Sequence, residues 1–285
     1  MDNWIGIRIF VCCAALFCVL YSWSYISPQF RYIWGDCDAI ADGLANDVVW
    51  GFRGIQKGIA CGDRCLSPLW EKSSHLKRMN GRNAPWIAEV LSGNQTPLSV
   101  RVASELSEDP QLLRKLVGQV ALAKFGKLKD ISTLHSTCVD PPKDDLNGDM
   151  FDLAAAGIGY TKDKSALPAL HAALDQSHAN QSWRSWVICR SLANLKDETS
   201  IPVLESYLRR PNSAAPGEAM KALQALGSKN AIPLAVDRLA HSLKNHEPDW
   251  TSESLISALE ETTGQHFGTD AAAWQKWLST SRKGD

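Results

Sequence analysis

Three prolines recur at nearly equal intervals in the second half of the chain. Pro168, Pro202 and Pro233 open similar segments, and the intervals between them are 34 and 31 residues. A fourth segment, 36 residues earlier, has Ser132 in the proline position. A period in the thirties that contains two helix-length stretches is typical of helical repeat proteins, in which each repeat packs against its neighbours.

The apolar positions of these four segments agree once the prolines are aligned. Four columns are apolar in every copy, at one residue before the proline, two after it, six after it and ten before it. They are Ile131, Leu167, Ile201 and Ile232; Leu134, Leu170, Leu204 and Ala235; Cys138, Leu174, Leu208 and Leu239; and Leu122, Ile158, Leu192 and Leu223. Helical spacing places them on one buried stripe that a neighbouring repeat must cover. The proline itself suits the first turn of a helix, where its missing amide donor costs little.

These segments resemble the HEAT-like repeat family of the PBS-lyase type. That family has an alanine- and leucine-rich first helix, a turn with Gly, Asp or Lys, and a second helix that opens Ile-Pro-x-Leu. KDETSIPVLESYL contains this opening in full, and KDKSALPALHAAL and SKNAIPLAVDRL each depart from it at one position. The resemblance covers roughly residues 97–280. It implies an all-α fold, a right-handed α-solenoid of helix pairs.

The end of the chain resembles the closing segment of many bacterial HEAT-repeat proteins. In TTGQHFGTDAAAWQKWL, Asp270 can cap a last helix, and Trp274 and Trp277 lie three apart on one face. We therefore expect this segment to cover the open end of the core. Residues 96–285 are predicted to form the repeat solenoid with its C-terminal cap, and a long turn from Val139 to Asp149 departs from the family pattern.

The N-terminal segment has a different character, because residues 9–26 carry no charge. At about 1.5 Å per helical residue, such a run spans the roughly 30 Å of a bilayer core. Tyr21, Trp23 and Tyr25 at its far end are typical of a membrane interface. Residues 1–34 are therefore predicted to be an uncleaved signal-anchor with one transmembrane helix. A cleaved signal peptide is the alternative, although its apolar centre is normally shorter.

The charges around this segment hardly favour either orientation, since Arg8 and Arg31 lie on opposite sides of it. Single N-terminal anchors of this kind most often leave the following domain outside the cytoplasm. We therefore expect a single-pass protein of the bacterial inner membrane with a periplasmic C-terminal domain. Residues 35–95 are predicted to be a bridging region of short helices and irregular structure.

The chain has eight cysteines. Cys138 and Cys189 fall in the repeat frame, where we expect them to pack in the core as small hydrophobic residues. Cys37, Cys61 and Cys65 lie in the bridging region, and outside the cytoplasm one disulfide within this trio is a candidate, most simply from Cys37 to Cys61 or Cys65. No second ligand pair accompanies them, so no metal site is predicted.

The sequence contains no pattern that predicts catalysis. It has no G-x-S-x-G motif and no phosphate-loop spacing, and its seven histidines are scattered. A net charge of −1 argues against a nucleic-acid partner, because such binding needs a basic face. We predict no enzyme and no cofactor. Some proteins with these repeats are bilin lyases, and this is the remote enzymatic alternative, since repeat similarity alone does not transfer function.

The repeats instead predict a protein partner. In HEAT-like solenoids the second helices line the concave side, which commonly binds partners. The candidate binding residues are the polar positions between the buried columns, namely His171, Asp175, Glu205, Arg209, Asp237, Arg238 and His241. Trp183 and Trp186 form a candidate aromatic patch. We therefore predict a scaffold or adaptor anchored in the bacterial cell envelope, with an immunity-type inhibitor of a secreted toxin as the alternative.

Overall fold

The computed structural model describes Ala60 and residues 84–281, except for residues 94, 144, 146–147, 177–181 and 212. The predicted signal-anchor at 1–34 lies outside the described residues, and so do the cysteine trio and most of the bridging region at 35–95. Within the described part of the chain there are helices and loops but no strands. None of the helices described is both long enough and apolar enough to cross a membrane.

The chain divides into two compact units, at residues 1–105 and 106–285. The described part of the first unit contains α1 (Ala84–Gly93) and most of α2 (Pro97–Ser107). Thr96 caps α2, because its Oγ1 accepts a hydrogen bond from the Ser99 N–H at 3.1 Å and its own N–H donates to Ser99 Oγ at 2.9 Å. This reciprocal pair, with proline in the first helical position, fixes the start of the helix.

The described residues of the second unit form five helix pairs. The first helices are α3 (Leu112–Lys124), α5 (Asp149–Thr161), α7 (Ser182–Leu195), α9 (Pro216–Ala225) and α11 (Asp249–Thr263). The second helices are α4 (Ser132–Val139), α6 (Leu167–Gln176), α8 (Ile201–Arg209), α10 (Ala231–Lys244) and α12 (Ala271–Ser281). First helices pack on first helices in chain order, and second helices pack on second helices. The unit is therefore a two-layer stack, consistent with the predicted α-solenoid.

The prolines lie where the sequence predicts them. Pro168 and Pro202 are the second residues of α6 and α8, and Pro233 is the third residue of α10. Ser132, which replaces proline in the first copy, is the first residue of α4. At these positions the backbone amide has no partner within the helix, so a residue that lacks the N–H is tolerated.

Three of the four aligned columns are buried in every copy. The residues at two and six after the proline and ten before it are all 7 % exposed or less. The column before the proline is a partial exception, because only Leu167 is buried and Ile131, Ile201 and Ile232 are half-buried. These residues sit at the turn before or at the very start of the second helix, where solvent reaches one side of the side chain. The prediction of full burial was wrong for those three.

The C-terminal cap is built around Trp274, which has no exposed surface. Phe267 packs edge-on against it with ring centroids 5.0 Å apart, and Trp277 packs edge-on from the other side at 6.1 Å. The indole N–H donates to the Gly268 carbonyl at 3.0 Å. Asp270 Oδ1 accepts a hydrogen bond from the backbone N–H three residues later at 2.9 Å. Asp270 therefore caps the last helix and Trp274 seals the core, as predicted.

An ion pair that no sequence pattern predicts joins two of the first helices, α5 and α7. Asp152 on α5 is buried, and its Oδ1 accepts a hydrogen bond from Arg184 Nε on α7 at 2.9 Å. The guanidinium also lies 5.5 Å from the centre of the Phe151 ring. Burial raises the pKa of the Asp152 carboxyl to about 7, although the charge and hydrogen bond of Arg184 oppose that rise. The pair fixes α5 against α7.

Candidate protein-binding face

The seven predicted partner-binding residues lie on α6, α8 and α10, and we call the solvent side of these three helices the second-helix face. Several of its polar side chains make contacts from one repeat to the next. Some of these contacts involve the turns that connect a first helix to its second helix, and others involve Arg210, which follows α8. They hold consecutive second helices in a fixed register.

The turns share one local motif. Asp163 and Asp197 lie five residues before Pro168 and Pro202, and each carboxylate accepts a hydrogen bond from the N–H two residues further on, at 3.0 Å in both turns. Ser228 has the same position before Pro233 and accepts one from the Asn230 N–H at 3.2 Å. Such side-chain caps favour a turn and the start of the next helix.

Hydrogen bonds join α6 to residues at both ends of α8. His171 Nε2 lies 2.9 Å from Ser200 Oγ, in the turn before α8. Arg210, just after α8, donates to the Asp175 carbonyl at 2.8 Å and to Asp175 Oδ1 at 2.7 Å. Burial lowers the pKa of His171, against the opposing charge of Asp197, so a neutral imidazole is favoured in this contact.

The α8 helix is tied to the turn before α10 through Glu205. Its Oε1 accepts hydrogen bonds from Ser228 Oγ and Asn230 Nδ2, both at 3.1 Å, and its Oε2 accepts one from Arg209 Nη2 at 3.3 Å. Burial opposes the ionised form, but these hydrogen bonds together hold the pKa of Glu205 below its usual value. The carboxylate is therefore charged, and both of its oxygens accept hydrogen bonds from within the protein.

Arg238 does not lie on the exposed surface where the sequence placed it. Its side chain is only 3 % exposed and forms an ion pair with Glu247, which is also buried. Arg238 Nε further donates to the Arg210 carbonyl at 3.3 Å. The guanidinium therefore joins α10 to the turn that follows it and to the turn that follows α8. A partner protein cannot reach this group in the folded chain.

The other predicted positions divide into two groups. His171 and Glu205 are half-buried in the contacts between repeats, whereas Asp175, Arg209, Asp237 and His241 are exposed. His241 Nδ1 also lies 3.3 Å from Glu247 Oε1. The exposed group forms a mixed-charge strip along the second-helix face. Its role in partner binding stays a prediction.

The predicted aromatic patch is described only in part. Trp186 lies on α7, in the first-helix layer, and is half-buried. The Arg190 guanidinium is 5.0 Å from its ring centre, within the range of a cation–π contact. The Trp183 side chain lies outside the described residues. Trp186 therefore belongs to the layer opposite the second-helix face.

Both described cysteines are buried. Cys138 and Cys189 are free thiols buried in the core, which confirms the predicted packing. Burial raises the pKa of the Cys138 thiol to about 12 and that of Cys189 still further. In the part of the chain that the structure describes, no three His, Cys, Asp or Glu side chains are grouped to hold a metal ion.

Comparison with known proteins agrees with this architecture. Residues 176–260 match the family model for HEAT repeats, a span that begins at the end of α6 and includes α7 to α10 and most of α11. No curated protein and no solved structure matches the chain. The sequence match and the two-layer packing thus agree on a HEAT-like repeat protein.

Proposed function

We propose that the chain is a protein-binding scaffold or adaptor whose partner docks on the second-helix face. HEAT repeats commonly mediate contacts between proteins, and their extended surface is the part that partners recognise. The proposal rests on one observation, which is that successive second helices are joined by side-chain hydrogen bonds from repeat to repeat.

These hydrogen bonds make the face a pre-organised surface. His171, Asp175 and Glu205 each bind a residue of the following repeat. A surface that is already ordered loses less conformational entropy when a partner binds. The exposed side chains beside these contacts carry both signs of charge, as in Asp237 and Arg209, and this favours a specific protein surface over a uniform polyanion.

We propose further that residues 1–34 anchor the protein in the bacterial inner membrane, with the repeats on the periplasmic side. The uncharged run at 9–26 and the aromatic residues at its end support the anchor. The proposal assigns no catalytic activity, because the sequence carries no catalytic motif. A membrane-impermeant thiol reagent, applied to intact cells with and without reduction, tests the orientation through Cys37, Cys61 and Cys65. Labelling only after lysis would place the repeats in the cytoplasm.

Site-specific photo-crosslinking tests the binding face. A photoreactive residue at Asp237 or Arg209 of the full-length protein, in cells that express it natively, should give one discrete protein adduct. Matched positions are Gln224 and Ser257, which are exposed in the first-helix layer, and they should give none. Adducts of equal yield from both layers would contradict the proposed face. An adduct with a toxin that acts at the envelope would select the immunity-type role over the adaptor role.

A further inference from the structure

Each of the five first helices in the second unit ends at a residue in the left-handed backbone conformation. Gly126, Gly227 and Gly264 take this place in three of them, with φ between 66° and 78°. Lys162 and Lys196 take it in the other two, with φ of 64° and 51°. This conformation is disfavoured for any residue with a Cβ, so glycine is the less strained choice. Because Lys162 and Lys196 keep this backbone strain, we expect their side chains to have a function.

The two lysines belong to a longer row of exposed cations. The turns between first and second helices carry six lysines, all exposed, and we call them the lysine edge: Lys127, Lys129, Lys162, Lys164, Lys196 and Lys229. Lys164 forms an ion pair with Asp197 at 2.9 Å. The other five make no ion pair with any residue that the structure describes. Every one of the first four turns presents at least one such lysine.

The acids of the same turns do not cancel this charge. There are four of them against the six lysines, so the turns carry a net positive charge in a chain whose overall charge is −1. Three of the four, Asp130, Asp163 and Asp197, are occupied as caps, each accepting a backbone N–H at 2.9–3.0 Å. Their carboxylates are thereby held against the starts of the second helices, while the lysines remain exposed.

The spacing of the lysine edge fits an extended polypeptide. Packed neighbouring helices lie about 8–10 Å apart, so we expect consecutive turns of the stack to recur at roughly that distance. An extended chain rises about 3.3 Å per residue, so an acidic residue at about every third position would meet successive turns. Nucleic acid fits less well, because its phosphates follow one another every few ångströms and must also face the carboxylates between the lysines, whereas the acidic residues of a peptide can be spaced to meet only the lysines.

We propose that the lysine edge binds an extended acidic segment of the partner protein. This inference rests on the proposed function and adds the chemistry of the partner. The edge lies at the starts of α4, α6, α8 and α10, and so borders the second-helix face. One partner that lies on the face can therefore place an acidic segment along the edge.

The test uses full-length protein in detergent and a fluorescein-labelled peptide of about twelve residues with glutamate at every third position. Binding is measured by fluorescence anisotropy at low and at physiological salt. The combined substitution Lys162→Glu and Lys196→Glu should weaken binding by about tenfold or more, because like charges then face the probe. The matched control, Lys244→Glu with Lys276→Glu, reverses two exposed lysines elsewhere and should leave the affinity within about twofold.

A second variant distinguishes a loss of the lysine charge from a loss of folding. Lys162→Gly with Lys196→Gly removes both side chains and also the backbone strain, so it should raise the melting temperature while it weakens binding of the peptide. Unchanged binding in this variant would overturn the proposal. Tighter binding of a DNA duplex of about twelve base pairs than of the peptide would assign the edge to nucleic acid. A salt-sensitive dimer that the glutamate variant abolishes would assign it to a second copy of the chain.

Failure of this inference is distinguishable from failure of the proposed function. If the peptide does not bind but Asp237 and Arg209 still crosslink to one protein, the scaffold role stands and only the lysine edge is withdrawn. If the peptide binds and those positions give no adduct, the second-helix face is withdrawn as the docking surface.

Discussion

Arg184 Nε donates a 2.9 Å hydrogen bond to Asp152 Oδ1 and so joins α5 to α7 inside the first-helix layer. Loss of one member of a buried pair leaves the other charge without compensation, at a cost of about 3–5 kcal/mol for fully buried pairs. Because Arg184 keeps about a fifth of its side chain in solvent, we expect Arg184→Ala to lower the free energy of unfolding by roughly 2–3 kcal/mol. Urea denaturation at pH 8 measures this. A loss below about 0.5 kcal/mol would mean that the pair does not stabilise the packing of α5 on α7.

The same pair predicts a pH dependence. The pKa of Asp152 is raised to about 7 in the folded protein, whereas the unfolded chain releases this proton near 3.8. Between those values the folded state holds more protons, so this carboxyl's contribution to the free energy of unfolding decreases as pH rises through the window. Asp152→Asn cannot titrate, and its melting temperature relative to the wild type should therefore rise from pH 4.5 to pH 7. A difference that stays constant over this range would show that the pKa of Asp152 is not raised.

Gly217 lies at a close approach of α9 to α11. A Cβ at this position would lie 2.3 Å from the Ser254 backbone carbonyl oxygen, and the Gly217 N–H lies 3.2 Å from Ser254 Oγ. A helix backbone cannot move aside as a side chain can, so Gly217→Ala should cost about 3 kcal/mol despite the better helix propensity of alanine. The control is Gly227→Ala, which meets no atom within 4 Å and strains only its φ of 78°, at about 1 kcal/mol. Equal melting temperatures for the two variants would contradict the close approach.

The turn lysines give a prediction about stability that is independent of any partner. Lys196 holds a φ of 51°, and glycine at this position should raise the free energy of unfolding by about 1 kcal/mol. The reverse exchange, Gly227→Lys, should lower it by a similar amount. Thermal denaturation of the two single variants measures both changes in stability. Destabilisation by Lys196→Gly would show that the lysine stem contributes packing that outweighs the backbone strain.

The C-terminal cap predicts a contrast between two tryptophans. Trp274 is fully buried and Trp250 is 38 % exposed. Trp274→Ala should therefore lower the free energy of unfolding by about 3–5 kcal/mol, whereas Trp250→Ala should change it by less than about 1 kcal/mol. Chemical denaturation of both variants compares them. Similar losses in the two variants would rule out Trp274 as the residue that closes the core.

The sequence predicts this fold well because the repeat imposes its own period. Leu170, Leu204 and Leu223 could be placed in the core from alignment alone, since every copy must bury the same stripe against its neighbour. Asp270 was predictable for a local reason, because a cap and its amide are close in sequence.

The details of the second-helix face were less predictable, because they depend on contacts between repeats. Arg238 occupies a position that the helical period assigns to solvent, yet it turns to meet Glu247 in the following turn. Ser200 and Asn230 each belong to a short turn motif that is visible in the sequence. The motif does not show that these residues contact His171 and Glu205 of the preceding repeat. Helical periodicity predicts on which face of its helix a residue lies, but it does not predict which residue of the next repeat will contact it.

The helices of this unit pack mainly on the helices of adjacent pairs, so the unit is nearly one-dimensional. Its cooperativity therefore passes from each pair to the next, and fraying begins at the ends and not in the middle. The C-terminal cap around Trp274 protects one end of the stack from such fraying. A ligand that spans several pairs would couple pairs that are not packed directly on each other, so its binding would stabilise the stack as a whole against fraying.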